Sequence, residues 1–125
     1  MKILVVDDEA DIKDLFEQRF RREIRAGEFD LAFANSGEQA LTYLQGHASE
    51  VVLILSDINM PGMSGFELLR HIRSDFTTPP PPVVMMITAY GDSSSHEQAV
   101  TLGANDFLTK PLDFAILKQK LRELA

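Results

Sequence analysis

Acidic and cationic side chains stand at the ends of the chain's apolar runs, where a carboxylate is costly unless something compensates it. Asp7, Asp8 and Glu9 follow the apolar residues 3–6. Asp57 follows residues 51–55, Thr88 follows residues 83–87, and Lys110 follows residues 107–109. Two unit charges about 4 Å apart interact by about 4 kcal/mol at an effective dielectric near 20. Carboxylates gathered from these runs therefore need a proton or a cation. Hard oxygen donors with room for water suit Mg²⁺, which takes one or two carboxylates together with phosphate oxygens. Three aspartates, one Mg²⁺ and Lys110 roughly balance, leaving a site suited to a phosphoryl group.

A carboxylate can attack phosphorus to form an aspartyl phosphate. The reaction mainly needs in-line positioning and neutralisation of the equatorial oxygens. Asp57 is the better nucleophile, since it stands alone on its run, and Asp7 and Asp8 are better placed to share a metal. Lys110 and the Thr88 hydroxyl would each hold a phosphoryl oxygen. Ala89, being small, leaves room for the incoming group.

The elements that must position these residues follow from periodicity. Strands are expected at residues 3–6, 31–34, 51–55, 83–87 and 107–109, with helical patterns between them. Ile12, Leu15, Phe16, Phe20 and Ile24 mark one face of a long first helix, stopped by Gly27. Ala40, Leu41 and Leu44 mark the second, opened by a capping box of Ser36 and Gln39; Leu68, Leu69 and Ile72 mark the third, opened by Ser64 and Glu67. Ala99, Val100 and Leu102 mark a fourth, ended by Gly103, whose polar start in GDSSSHEQAV suggests late initiation or fraying. Phe114, Leu117, Leu121 and Leu124 mark the fifth. Strict β–α alternation predicts a parallel sheet covered on both faces. In such a sheet, ligands bind beyond the carboxyl ends of the strands. TTPPPP (residues 77–82) reads as a stiff, extended connection.

Composition narrows the classes. The chain has 125 residues, 45% of them hydrophobic and 25% charged, which fits one globular domain over 1–125. With no cysteine, a disulfide framework, a thiolate metal site and a Cys nucleophile are all excluded. A net charge of −7 argues against a direct grip on nucleic acid or anionic lipid. MKILVVDDEA is too short and acidic for a signal peptide, and no apolar run reaches membrane-spanning length. The expected setting is cytoplasmic.

The ordered motifs ILVVDDE, SDINMPGMSG, MMITAYG and ANDFLTKP resemble the receiver domain of two-component response regulators over essentially the whole chain. The resemblance implies a flavodoxin-like (βα)5 fold with strand order 2-1-3-4-5. It implies that Asp57 accepts phosphoryl from a histidine kinase or histidine phosphotransfer protein. Mg²⁺ would be held by Asp8, Asp57 and the backbone carbonyl of Asn59, with Asp7 acting through a water. Thr88 and Lys110 would hold phosphoryl oxygens, with a cis peptide before Pro111. Phe107 matches the family's aromatic switch position, moving inward as Thr88 is drawn to the phosphate and repacking the face of the fourth helix, fifth strand and fifth helix. That face is also the candidate homodimer surface. Asn59 and Tyr90 match positions that influence water access to the acyl phosphate, with Tyr90 expected to shield it. Such a domain is either free-standing or the N-terminal module of a longer regulator, and the absence of a tail after the last helix favours an excised module.

Other readings compete. Asp7 and Asp8 could cap the first helix, Lys110 could be a solvated surface lysine, and Thr88 a β-branched strand residue. QRFRREIR reads as the solvated face of the first helix, with kinase contact as a secondary reading. Among other functions, a phosphorylation-independent interaction module on the same fold opposes the receiver reading. A haloacid-dehalogenase-type phosphatase requires DxDx[TV], whereas the sequence reads DDEAD and leaves no room for a cap domain. A flavodoxin would need a Ser/Thr- and Gly-rich phosphate loop after the first strand, and a dinucleotide-binding domain would need GxGxxG there.

Overall fold

Runs of consecutive apolar residues are stable as strands only where both sheet faces are covered, and the chain achieves this with helices on each side. The computed structural model describes residues 1–47, 49–77, 79–88 and 93–124. Strands β1 (Lys2–Val6), β2 (Asp30–Ala34), β3 (Val51–Asp57), β4 (Val83–Thr88) and β5 (Asp106–Thr109) form one parallel sheet in the order β2-β1-β3-β4-β5. Helices α1 (Ile12–Arg19), α2 (Arg21–Arg25), α3 (Gly37–His47), α4 (Gly65–Asp75), α5 (Ser93–Thr101) and α6 (Phe114–Glu123) connect and follow the strands.

Side chains alternate across the pleat, dividing the core in two. Leu4, Val6, Ile54, Val84 and Met86 pack with α3, α4 and Ala99 of α5. Ile3, Val5, Leu53, Leu55, Met85 and Ile87 pack on the opposite face with Phe16, Phe20, Leu117 and Leu121. On that second face, the Phe114 ring lies 5.2 Å from Phe16 and 6.0 Å from Phe20, both edge-on, which binds α6 to α1. The contact also fixes the loop before α6, which carries Lys110.

Register decides which end residues meet. Lys2 pairs with Val51, but Ile3 pairs with Leu53, so β3 passes over Val52. After this irregularity Val6 lies beside Ser56, which brings Asp7 level with Asp57. Uninterrupted pairing would set Asp7 beside Ser56 and turn Asp57 toward the other face.

Several local expectations hold. Ser36 Oγ accepts the Gln39 N–H at 3.0 Å, and Ser64 Oγ accepts the Glu67 N–H at 3.2 Å. Gln39 Oε1 reaches back one residue further than the standard box, accepting the Asn35 N–H. Gly27 and Gly103 take positive φ and close their helices with paired carbonyl contacts: Gly27 N–H to Ile24 O with Glu28 N–H to Glu23 O, and Gly103 N–H to Val100 O with Ala104 N–H to Ala99 O.

Others need correction. The long first helix is two segments meeting at Phe20, although its hydrogen bonds continue from Phe20 N–H to Phe16 O and from Ile24 N–H to Phe20 O. The switch face expected on the fourth and fifth helices thus belongs to α5, β5 and α6. Leu15 and Ile24 are each 37% exposed, whereas Glu23 is buried, because the inward stripe runs through Phe16, Phe20 and Glu23. Glu23 tolerates this because Lys118 Nζ lies 3.1 Å and Arg122 Nη2 3.7 Å from its carboxylate. Val100 faces outward and Ala99 inward on α5. That helix is formed from Ser93 rather than late. The prolines of 79–82 do not run straight: the Pro79–Pro80 peptide is cis and both residues lie in a bend.

Candidate functional site

Parallel strands all point their carboxyl ends to one edge, so the residues that terminate them converge. Asp57 ends β3 and Thr88 ends β4; Asp7 and Lys110 immediately follow β1 and β5. The edge gathers Asp7, Asp8 and Asp57 so closely that one carboxylate oxygen from each lies within 4.8 Å of the others. Asp7 and Asp57 are buried, at 3% and 4% exposure, while Asp8 faces solvent.

Each buried carboxylate has a defined partner. Asp57 Oδ1 accepts the Ile58 N–H at 2.9 Å, and Oδ2 lies 3.1 Å from Lys110 Nζ. Asp7 Oδ1 accepts the Glu9 N–H at 3.0 Å. The N-cap of α1 is Asp11, without a side-chain bond, so neither Asp7 nor Asp8 caps that helix.

The charges on this edge perturb one another. Burial pushes the Asp7 carboxyl above its ordinary range; the Glu9 amide opposes the shift, Asp57 reinforces it and Lys110 opposes it. For Lys110, burial works against the positive charge, but the hydrogen bond and charge of Asp57, with Asp7 and Glu9, outweigh it and raise its pKa. For the buried pair of Asp7 and Asp57, a separation of 4.8 Å at an effective dielectric near 20 corresponds to a repulsion of about 3.5 kcal/mol, and solvent screens the pairs that include Asp8 to less. One ammonium facing three carboxylates leaves two negative charges uncompensated, the charge of one divalent cation. A compact, all-oxygen donor set with one solvent-facing member fits a hard cation such as Mg²⁺.

The remaining site residues divide into those brought to the edge and those that lie elsewhere. Thr88 is buried at 5% exposure; its hydroxyl donates to Leu108 O at 3.5 Å, the weak limit of a hydrogen bond. Phe107, opposite Met86 in the sheet, is partly buried against the α3–α4–α5 core. The Lys110–Pro111 peptide is cis, as the resemblance implied. Asn59 is exposed in the turn after Asp57. Ala89 and Tyr90 lie outside the described residues. Ser56 is buried within β3, its hydroxyl donating to Asp57 O at 2.9 Å, so its polarity is absorbed locally.

Two supporting residues escaped the sequence reading. Gly65 opens α4 directly against the strand end. A Cβ there would collide with Asp57 O and lie 2.7 Å from Ile58 Cα. The Gly within SGFE was a usable signal for this approach. Asp113 caps α6 by accepting the Ala115 and Ile116 N–H groups at 2.9 and 3.2 Å, three residues after Lys110. Beside the acids, a groove of about 1050 Å³ runs between α1 and the start of α6, lined by Asp7, Ile12, Leu15, Lys110, Leu112 and Phe114 among others.

The chain is similar to known proteins over almost its whole length. Residues 3–122 match the response regulator receiver domain. The chain is 34% identical over 119 residues to the heme response regulator HssR of Staphylococcus saprophyticus, covering 95% of this chain and 49% of that protein. It is 37% identical over 124 residues to the response regulator PleD of Caulobacter vibrioides, covering 98% of this chain and 26% of that one. The chain thus spans half or less of the length of these curated relatives. Among solved structures, a receiver domain protein from Clostridium thermocellum superimposes with a TM-score of 0.85 at 26% identity, covering 98% of this chain and 92% of that one. The receiver domain of NtrX from Brucella abortus gives 0.81 at 30% identity, covering 98% and 96%. Among the described residues, no helix is long and apolar enough to cross a membrane.

Proposed function

The chain belongs to the response regulator receiver family, and we propose that its Asp57 accepts a phosphoryl group from a phosphohistidine on a sensor kinase or histidine phosphotransfer protein. Receiver domains generally bind Mg²⁺ at an acidic pocket, and the cluster of Asp7, Asp8 and Asp57 supplies one here. The observation that carries the reading is a buried carboxylate, level with a second one and 3.1 Å from a lysine ammonium, at the open edge of a parallel sheet.

In the proposed step an Asp57 carboxylate oxygen forms a bond to phosphorus as the phosphorus–nitrogen bond to imidazole breaks. The electron pair leaves with the imidazole, which takes its proton from solvent. The Ile58 amide keeps Asp57 oriented through Oδ1, and Lys110 moves from the carboxylate to a phosphoryl oxygen. A Mg²⁺ ion held by Asp8, Asp57 and the Asn59 carbonyl, with Asp7 through a water, would neutralise charge on the transferring group. Thr88 would exchange its long bond to Leu108 O for a stronger one to the phosphoryl group. Phe107 would then move inward, shifting the α5–β5–α6 face between two states. Water attack on the acyl phosphate, limited by Tyr90, would reset the domain; no external substrate is turned over. The partners are the phosphodonor protein and, in the switched state, a second copy through α5–β5–α6.

Intact mass after incubation with a small acyl phosphate and Mg²⁺ tests the reading. Wild type should gain one phosphoryl group and Asp57→Ala none. Equal gain in both, or none in wild type, refutes it, and the second result favours a phosphorylation-independent module.

A further inference from the structure

The turn after Asp57 carries no regular structure, so its shape depends on individual hydrogen bonds. At its near end, Ile58 N–H donates to Asp57 Oδ1, and Ile58 O accepts the Gly65 N–H at 2.8 Å. At its far end, Gly62 takes a φ of 72° and the Met63 N–H donates to Glu38 Oε1 at 2.9 Å. Glu38 belongs to the first turn of α3, 25 residues away in the chain. Asp57, at the end of β3, holds the near end with its own side chain, whereas Glu38 holds the far end from an element distant in the chain.

The seat is close-fitting. A Cβ on Gly37 would lie 2.8 Å from Met63 Sδ, and one on Gly62 would lie 3.4 Å from Glu38 Oε1. The start of α3 and the turn therefore meet through two glycines, with the carboxylate between them. A carboxylate accepting a backbone N–H is a strong, directional anchor. Because Glu38 is exposed, truncating it opens no cavity in the core.

We propose that Glu38 is a positioning residue for the phosphoacceptor site. It holds the turn so that the Asn59 carbonyl and the Ile58 amide face the Asp57 carboxylate correctly. The inference rests on the receiver reading above, since it gives Glu38 its role through the Asn59 ligand. The alternative role for Glu38 is purely structural: an acid in the first turn of α3 favours the helix dipole. That role would change stability and leave ion binding alone.

The two are separated by comparing wild type, Glu38→Gln and Glu38→Ala by ¹⁵N NMR. The measurements are Met63 amide exchange, Mg²⁺ titration with the metal alone, and the unfolding midpoint. Glu38→Ala should speed Met63 exchange and weaken Mg²⁺ binding on the order of tenfold, as for other residues that orient metal ligands. Its phosphoryl gain from a small acyl phosphate should slow alongside. Glu38→Gln keeps an acceptor oxygen without the charge, and should stay within about twofold of wild type because its bond to the amide survives. Mg²⁺ affinity unchanged in Glu38→Ala overturns the proposal, as does a Gln variant that falls as far as Ala. Wild type that neither binds Mg²⁺ nor gains a phosphoryl group instead removes the receiver reading itself.

Discussion

Replacing Asp7 by asparagine should make the metal-free domain more stable while weakening its hold on a divalent cation. Asp7 is 3% exposed and within 4.8 Å of carboxylate oxygens on Asp8 and Asp57. The repulsion from buried Asp57 is about 3.5 kcal/mol at an effective dielectric near 20, and solvent screens that from exposed Asp8 to less. Neutralising Asp7 removes both but also forfeits its attraction to Lys110. The Asn Oδ1 can still accept the Glu9 N–H, so geometry is preserved. The expected net gain is about 1–2 kcal/mol, or roughly 3–8 °C in Tm for a domain of this size. Thermal unfolding followed by circular dichroism at pH 7, low salt and excess chelator measures it. The gain should shrink with added salt, which screens exposed members of the cluster. It should also shrink in acid. Because burial raises the folded-state pKa of Asp7, its ionisation penalty is absent below the ordinary value of 3.8 and grows as pH rises through the folded value. With Mg²⁺ present, wild type should gain more stability than the variant, since only the form that binds ligand is stabilised by it. A variant no more stable than wild type at pH 7 in chelator would show that the three carboxylates do not strain one another, and the electrostatic case for a cation would fail.

Gly65→Ala should cost about 1–3 kcal/mol in denaturant unfolding, because its Cβ meets backbone at Asp57 and Ile58 rather than a yielding side chain. The same variant should slow phosphoryl gain at Asp57, and unchanged stability would contradict the close approach. Glu23, held below its ordinary pKa because Lys118 and Arg122 outweigh the cost of its burial, should stabilise the fold above pH 4.5 and lose that contribution as pH falls through its folded value. Glu23→Gln should accordingly be less stable by about 1 kcal/mol at pH 7, with the difference shrinking as pH falls through the folded value in an unfolding series. Arg73→Ala should cost about 2–3 kcal/mol, since the guanidinium donates to Gly103 O at 3.0 Å, Pro82 O at 2.8 Å and Asn105 Oδ1 at 2.6 Å. Faster amide exchange at the α5–β5 turn should accompany it, and exchange unchanged there would deny the tether.

Much of the local chemistry, though not the Asp113 cap, was legible because its partners are neighbours in the chain. The Ser36 and Ser64 caps close within three residues, and the Gly27 and Gly103 stops depend on one backbone conformation each, so pattern alone finds them. Hydropathy failed on the first helix for the opposite reason. It chose Ile24 for the interior, but Lys118 and Arg122, almost a hundred residues later, supply the charge that lets Glu23 turn inward instead. Glu38 was invisible on the same ground, since its partner amide lies 25 residues away.

The sequence by itself determined that five apolar runs would alternate with helices, and that Asp7, Asp8, Asp57, Thr88 and Lys110 would stand at the exits of four of those runs. Side-chain type and spacing are local, and a parallel sheet must send all its strand ends to one edge. Only the tertiary structure decided that the acids meet. That outcome depends on β3 passing over Val52, which brings Asp7 level with Asp57 on one side of the pleat. A slip of one residue preserves every strand and disperses the site, because side chains on a strand change face at each step.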